Sequence, residues 1–192
     1  SSSATITTLA HASTGTSSSS GLSTNGVTVT DGTFTNTGTI SNGITNSAQV
    51  NAEGFIDGAM ENQTGGTFTV TGALVASDTF NNAGTLEVDG GDLTGITTLT
   101  NTGDVTIADG QTLAAATINN NTGGSVSVGV GSTLQGTGNT LNNNATLDVA
   151  TNGAVTDAAA RNSDATGESV SDGPGGGARR ARCLSECGQR NV

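Results

Sequence analysis

The sequence contains no lysine, tryptophan or tyrosine, and only one proline, one methionine, one histidine and two cysteines among 192 residues. Leu, Ile, Val and Phe together account for 36 residues, about 19% of the chain, and the formal net charge is −11. So little apolar surface at so high a net charge is typical of disordered chains. The composition alone therefore argues against a compact enzyme and favours disorder.

Basic residues are missing from most of the chain. All five arginines follow residue 160, so residues 1–160 carry twelve carboxylates and no permanent cation. Because nucleic-acid binding depends on basic side chains that neutralise phosphates, we expect no nucleic-acid partner for this stretch. There is also no apolar run of 18 residues, so no helical membrane span is expected.

Glycine and asparagine are abundant and recur in one pattern, which is an Asn-rich corner, a small residue and an apolar–x–apolar strand. The pattern appears as NTGTI (36–40), NSAQV (46–50), NQTGGTFTV (62–70), NNAGTLEV (81–88), NTGDVTI (101–107), NNTGGSVSV (120–128) and NNNATLDV (142–149). The first apolar residues of these strands are Ile40, Val50, Phe68, Leu86, Val105, Val126 and Leu147.

Two further apolar series run beside the first, at spacings of about 19 to 23 residues. One comprises Leu74, Leu93, Leu113, Leu134 and Val155, and the other comprises Phe80, Leu99, Ile118 and Leu141. Three short strands per repeat, each followed by a turn, predict a coil with three faces. An isolated coil cannot bury its apolar face, whereas stacked coils form a continuous core. We therefore predict an all-β, three-faced parallel β-solenoid of about seven coils of 18–21 residues.

The corner asparagines are the second repeated feature. Five of them precede the first apolar residue of a strand by four positions, namely Asn36, Asn46, Asn82, Asn101 and Asn143. In one interpretation their amides stack in register and hydrogen-bond from coil to coil. In the other they only favour the turns. Both interpretations make them structural.

The two ends of the chain depart from the repeat. Residues 1–21 are a Ser/Thr-rich lead-in, residues 22–156 hold the repeats, and residues 157–192 share neither their period nor their composition. The tail is predicted to be disordered. An alternative is that it is translated out of frame. Cys183 and Cys187 lie in it, and their spacing favours a disulfide or two free thiols over a zinc site.

The residues offer little catalytic chemistry. The densest acidic cluster is Glu87, Asp89 and Asp92, for which a solvated surface is expected instead of a catalytic pair. His11 lies in a Ser/Thr-rich segment without a partner in sequence and is expected to be exposed. We accordingly predict no enzyme, no catalytic or metal site, no cofactor and no small-molecule substrate. The longest departures from the repeat, residues 51–62 and 129–142, are candidate contact loops.

At TFTNTGTI, FNNAGTLEV and LTNTGDVTI the chain resembles the right-handed β-helix passenger domains of Gram-negative autotransporters, and it is similar to filamentous-haemagglutinin-type adhesins. The resemblance covers about residues 22–156. It implies a structural role for the apolar ladders and the corner asparagines. It also implies an outer-membrane translocator barrel as a partner, which we expect to lie outside this sequence.

The resemblance implies a non-enzymatic structural or adhesive segment of an exported passenger domain, at the cell surface on the exposed side of the outer membrane or secreted. Its partner would be a host surface, an extracellular matrix component or another cell. Two alternatives stay open, namely a carbohydrate-active β-helix fragment and the inactive product of a truncated gene.

Overall fold

The computed structural model describes residues 5–6, 9–23, 25–156, 160–163 and 169–170. No helix long and apolar enough to cross a membrane occurs among them. Every regular element in these ranges is a β-strand: β1 (Thr5–Ile6), β2 (Leu9–Ser19), β3 (Leu22–Ser23), β4 (Val27–Asn36), β5 (Thr39–Ser41), β6 (Ile44–Asn46), β7 (Gln49–Asp57), β8 (Met60–Asn62), β9 (Thr67–Ala76), β10 (Phe80–Asn82), β11 (Thr85–Val88), β12 (Leu93–Asn101), β13 (Asp104–Ile107), β14 (Thr112–Asn120), β15 (Ser125–Val128), β16 (Thr133–Asn143), β17 (Thr146–Val149), β18 (Ala154–Thr156), β19 (Ala160–Ser163) and β20 (Ser169–Val170).

The strands pair in parallel with the strands one turn earlier and one turn later. For example, β11 lies between β9 and β13, with Leu86 opposite both Phe68 and Val105. This arrangement confirms the parallel β-solenoid that the repeats predict. It has about eight turns, whereas the sequence predicts about seven.

Three inward-facing ladders of apolar side chains form the core. Phe68 and Phe80 belong to different ladders and meet edge to face, with ring centroids 5.2 Å apart and planes at 67°, a geometry that aromatic pairs favour. Val155, at the end of its series, is partly buried against this core. The thirteen other core residues named from the repeats from residue 68 onward are all buried: Phe68, Leu74, Phe80, Leu86, Leu93, Leu99, Val105, Leu113, Ile118, Val126, Leu134, Leu141 and Leu147.

In the first turns, the residues that pair between turns differ from those that the sequence repeats place in one series. That alignment places Ile40 in one series with Val50, but the structure pairs Val50 with Phe34 and pairs Ile40 with Ile56. Ten residues are too few to complete a turn with three strands and three corners. The sixteen residues from Phe34 to Val50 are enough, so Ile40 falls on a different face.

Close backbone approach fixes the identity of some corner residues. Gly43 lies between β5 and β6 with φ of 78°, in the left-handed region that glycine enters without strain. A Cβ at this position would collide with the carbonyl oxygen of Ala59, one turn later. Glycine is therefore required here by both conformation and space.

Strand pairing extends beyond the predicted repeat region at both ends. β2, in the segment interpreted as a lead-in, pairs with β4, and β19 and β20 pair with β16 and β17 past residue 156. The predictions for the rest of the tail, including Cys183 and Cys187, fall outside the described residues.

Candidate functional site

Six asparagine side chains form a hydrogen-bonded column inside one corner of the solenoid. The Nδ2 of each of the first five donates to the Oδ1 of the asparagine one turn later, over 2.7–2.9 Å. No member is more than 1% exposed. We call this set the amide column, and it comprises Asn46, Asn62, Asn82, Asn101, Asn120 and Asn143.

The column also satisfies the backbone at the corner. The Nδ2 of Asn82 lies 3.2 Å from the carbonyl oxygen of Gly84 and 3.0 Å from that of Asp104, one turn later. Asn101 repeats this arrangement with Gly103 and Ser125. Buried carbonyl oxygens need hydrogen-bond donors. Each amide therefore supplies the donor that water would otherwise provide at two successive corners. These bonds correspond to the stacked interpretation of the corner asparagines.

Two members of the column, Asn62 and Asn120, are not among the asparagines selected from the sequence. They precede the next core residue by six positions and not four, because Thr64–Gly65 and Thr122–Gly123 lengthen their corners. The longer corners turn at glycines with positive φ, 85° and 94°. One sequence signal could have identified Asn62 and Asn120. Each is followed, after one intervening residue, by the same three residues, TGG.

Asn36 does not belong to the column, in contrast to the stacked interpretation. It lies on another ladder, between Ser19 and Ala52. Its Nδ2 donates to the carbonyl oxygens of Gly38 and Glu53 at 3.1 and 2.9 Å. It therefore donates to the carbonyl oxygens of two successive corners, as the column members do, but its neighbours on the ladder are not asparagines.

Unpartnered buried polar atoms lie toward the two ends of the solenoid. Among the residues that the structure describes, the Nδ2 of Asn143, the last amide of the column, has no hydrogen-bond partner. Within the same ranges, the Oδ1 of Asn36 and the Oγ of Ser19, on adjacent turns near the other end, also have none. Between these ends, the column is satisfied from one turn to the next.

The acidic cluster forms hydrogen bonds between turns. Glu87 is half-buried in β11 and accepts a bond from Thr69 Oγ1 at 3.0 Å, and Asp92 accepts one from the Thr112 N–H at 2.7 Å. Asp89 lies at the exposed end of the strand between them. Across the described ranges, no group of three or more His, Cys, Asp and Glu side chains is placed to hold a metal ion.

His11 is buried, so the prediction of an exposed histidine is wrong. Its Nε2 lies 3.2 Å from the carbonyl oxygen of Gly15 and its Nδ1 lies 3.0 Å from Ser17 Oγ. Since a carbonyl oxygen only accepts, Nε2 donates in the bond to Gly15. The side chain folds back onto its own strand, a local contact that composition does not reveal.

A shallow groove of about 410 Å³ opens beside the amide column. Two buried members of the column line it together with the exposed Glu61, whose Oε1 accepts a hydrogen bond from Asn81 Nδ2 at 2.8 Å. The lengthened corner after Asn62 forms one wall. The lining residues are Glu61, Asn62, Gln63, Thr64, Asn81, Asn82, Ala83, Thr100 and Thr102.

The two segments proposed as contact loops are mostly strands. Residues 51–62 contain the end of β7 and all of β8, and residues 129–142 contain a turn followed by most of β16. They differ from the repeat in sequence because of small inward residues such as Ala52, which is fully buried. The prediction of inserted loops there is therefore wrong.

No protein-family model, no curated protein and no solved structure matches the chain.

Proposed function

We propose that the chain is a non-enzymatic, surface-exposed structural and adhesive segment of an exported bacterial passenger domain. It would stand at the cell surface or be secreted, and its partner would be a host surface, a matrix component or another cell. A separate outer-membrane barrel would translocate it. The observation that carries the proposal is the uninterrupted stacking of core and amide column from turn to turn.

Stacked turns build a long structure from few large apolar side chains. About eight turns, at roughly 4.8 Å per turn, form a rod about 40 Å long. Each turn is held to its neighbours by backbone ladders, core contacts and buried amides, so the rod is stiff along its axis. A stiff spacer with polar outer faces suits a protein that holds a contact surface away from a cell.

Adhesion of coated beads tests this proposal directly. Beads carrying the protein are expected to bind host cells or matrix at saturable sites, and binding should disappear when soluble protein competes. The control is a chain of the same composition with residues 25–156 scrambled. Equal binding of the two chains would contradict the proposal and favour the inactive product of a truncated gene.

A second candidate is a carbohydrate-active β-helix, and the hydrogen-bonding groups that line the groove favour it. A groove of about 410 Å³ lined by amides, hydroxyls and the Glu61 carboxylate has the size and hydrogen-bonding groups for a sugar unit. Release of reducing ends from uronate and neutral polysaccharides would reveal turnover. Loss of turnover in Glu61→Gln but not in Glu87→Gln would assign it to the groove, and absence of turnover in the unaltered chain would contradict this candidate.

A further inference from the structure

Large apolar side chains are exposed at four positions among the described residues, and three of the four share one outer ladder. Leu22, Phe55 and Val75 are 38%, 36% and 45% exposed. Phe55 and Val75 are direct neighbours on adjacent turns, and threonines continue the line on both sides. We call this line the apolar stripe, and in register order it comprises Leu22, Thr39, Phe55, Val75 and Thr94.

Carboxylates flank the centre of the stripe. Asp57 follows Phe55 by two residues on the same outer face of β7, and Glu53 precedes the corner at Gly54, where φ is 94° and the register shifts. Asp57 is exposed and accepts a hydrogen bond from Ser77 Oγ, while Glu53 is half-buried. Because residues 1–160 contain neither lysine nor arginine, nothing within the repeats can neutralise these charges.

We propose that the apolar stripe docks a partner segment that presents apolar side chains together with lysine or arginine on one face. The apolar side chains would cover Phe55 and Val75, and the cations would reach Glu53 and Asp57 at the rim. Charge complementarity selects this occupant over a second copy of the chain, because two solenoids would bring only carboxylates together. The inference rests on the proposed adhesive function, for which it names the chemistry of the partner.

A defined peptide tests the docking surface without an identified partner. The probe is a fluorescein-labelled peptide of repeating Leu-Thr-Lys-Thr, which places leucine and lysine on one face when extended. It is titrated with the full chain and followed by fluorescence anisotropy at physiological ionic strength. A peptide of repeating Leu-Thr-Glu-Thr is the charge control and should not bind. The double variant Phe55→Ser/Val75→Thr should raise the Kd of the lysine peptide about tenfold, equivalent to about 1.4 kcal/mol.

The matched control is Val130→Thr, which removes an exposed valine that lies in a turn outside the stripe. Its Kd should stay within about twofold of the unaltered chain. Far-UV circular dichroism of every variant should show the unaltered β spectrum, because all three substituted side chains are on the surface. Equal loss in Val130→Thr, or no loss in the double variant, would mean that the peptide binds by general charge attraction and would overturn the proposal.

Two other occupants of the stripe give distinct results. Self-association in sedimentation, abolished by the double variant, would assign the stripe to a second copy. Tighter peptide binding by the full-length variant Arg179→Gln/Arg180→Gln/Arg182→Gln would assign it to the chain's own arginine-rich segment. Either result would overturn the proposal. Bead adhesion of the unaltered chain is measured separately. Peptide binding without bead adhesion would contradict the proposed function but not the docking of the peptide on the stripe.

Discussion

At the residue scale, each asparagine of the amide column serves polar atoms from two turns at once. Asn101 accepts a hydrogen bond from Asn82 and donates to Asn120, and its Nδ2 also reaches the carbonyl oxygens of Gly103 and Ser125. No apolar side chain of similar volume can do this. The corner therefore depends on the amide group itself, not on its size.

Replacement of Asn101 by alanine should lower the free energy of unfolding by about 2–4 kcal/mol, because the buried Oδ1 of Asn120 and the carbonyl oxygens of Gly103 and Ser125 lose the amide that donates to them. Chemical denaturation followed by far-UV circular dichroism measures the change. The matched control is Asn144→Ala, since Asn144 is exposed at the same corner of the solenoid. A similar loss in both variants would contradict a specific role for the column.

Glycine at the corners provides a second prediction at this scale. Gly43 and Gly110 both have φ of 78°, but a Cβ would meet the Ala59 backbone at Gly43 and nothing within 4 Å at Gly110. Gly110→Ala should therefore cost only the strain of a left-handed residue, about 1–2 kcal/mol. Gly43→Ala should cost several kcal/mol because backbone must also move. Equal denaturation midpoints for the two variants would refute the collision.

At the scale of the strand, each element is supported only by the turns on either side. Leu86 in β11 is buried between Phe68 of β9 and Val105 of β13. A defect in one turn should therefore weaken its immediate neighbours and spare distant turns. Stability in this molecule is local along the axis.

Leu86→Ala should destabilise the solenoid by about 2–5 kcal/mol, the usual cost of a buried leucine truncation. Amide hydrogen exchange should accelerate in β9, β11 and β13, while β17 keeps its protection. Val130→Ala, at an exposed turn, is the control and should leave the exchange pattern unchanged. Uniform acceleration along the whole chain would show that the solenoid opens as one unit.

The strands were predictable where the repeats are regular, from Phe68 onward. Their period-two alternation and spacing place each core residue on the ladder that the structure shows. The first turns were not predictable in the same way, because the sixteen-residue step from Phe34 to Val50 competes with a misleading ten-residue match at Ile40. Pairing across the turn, which only the folded chain displays, resolves that ambiguity.

On the scale of the whole molecule, charge of one sign covers the solenoid as far as residue 160. Residues 1–160 carry twelve carboxylates and no lysine or arginine. Folding brings these charges closer together than they are in the unfolded chain, so their repulsion opposes folding. The buried core and the amide column must outweigh it.

Added salt should therefore stabilise the folded chain. Raising NaCl from about 0.01 M to about 1 M shortens the Debye length from about 30 Å to about 3 Å, and the midpoint of thermal unfolding should rise by several degrees. Choline chloride at equal ionic strength is the control for ion-specific effects and should give the same rise. A fall in the midpoint with NaCl would contradict net repulsion in the folded chain.

The sequence by itself determined the solenoid and most of its core, because apolar residues recurring at about 19 to 23 residues can all be buried only by stacking. It also determined the sign of the surface charge, which needs no coordinates. Tertiary structure alone decided which asparagines share the column, that His11 is buried, and that Leu22, Phe55 and Val75 align on one outer face. These depend on register between turns, and corners of unequal length shift that register without changing the local sequence pattern.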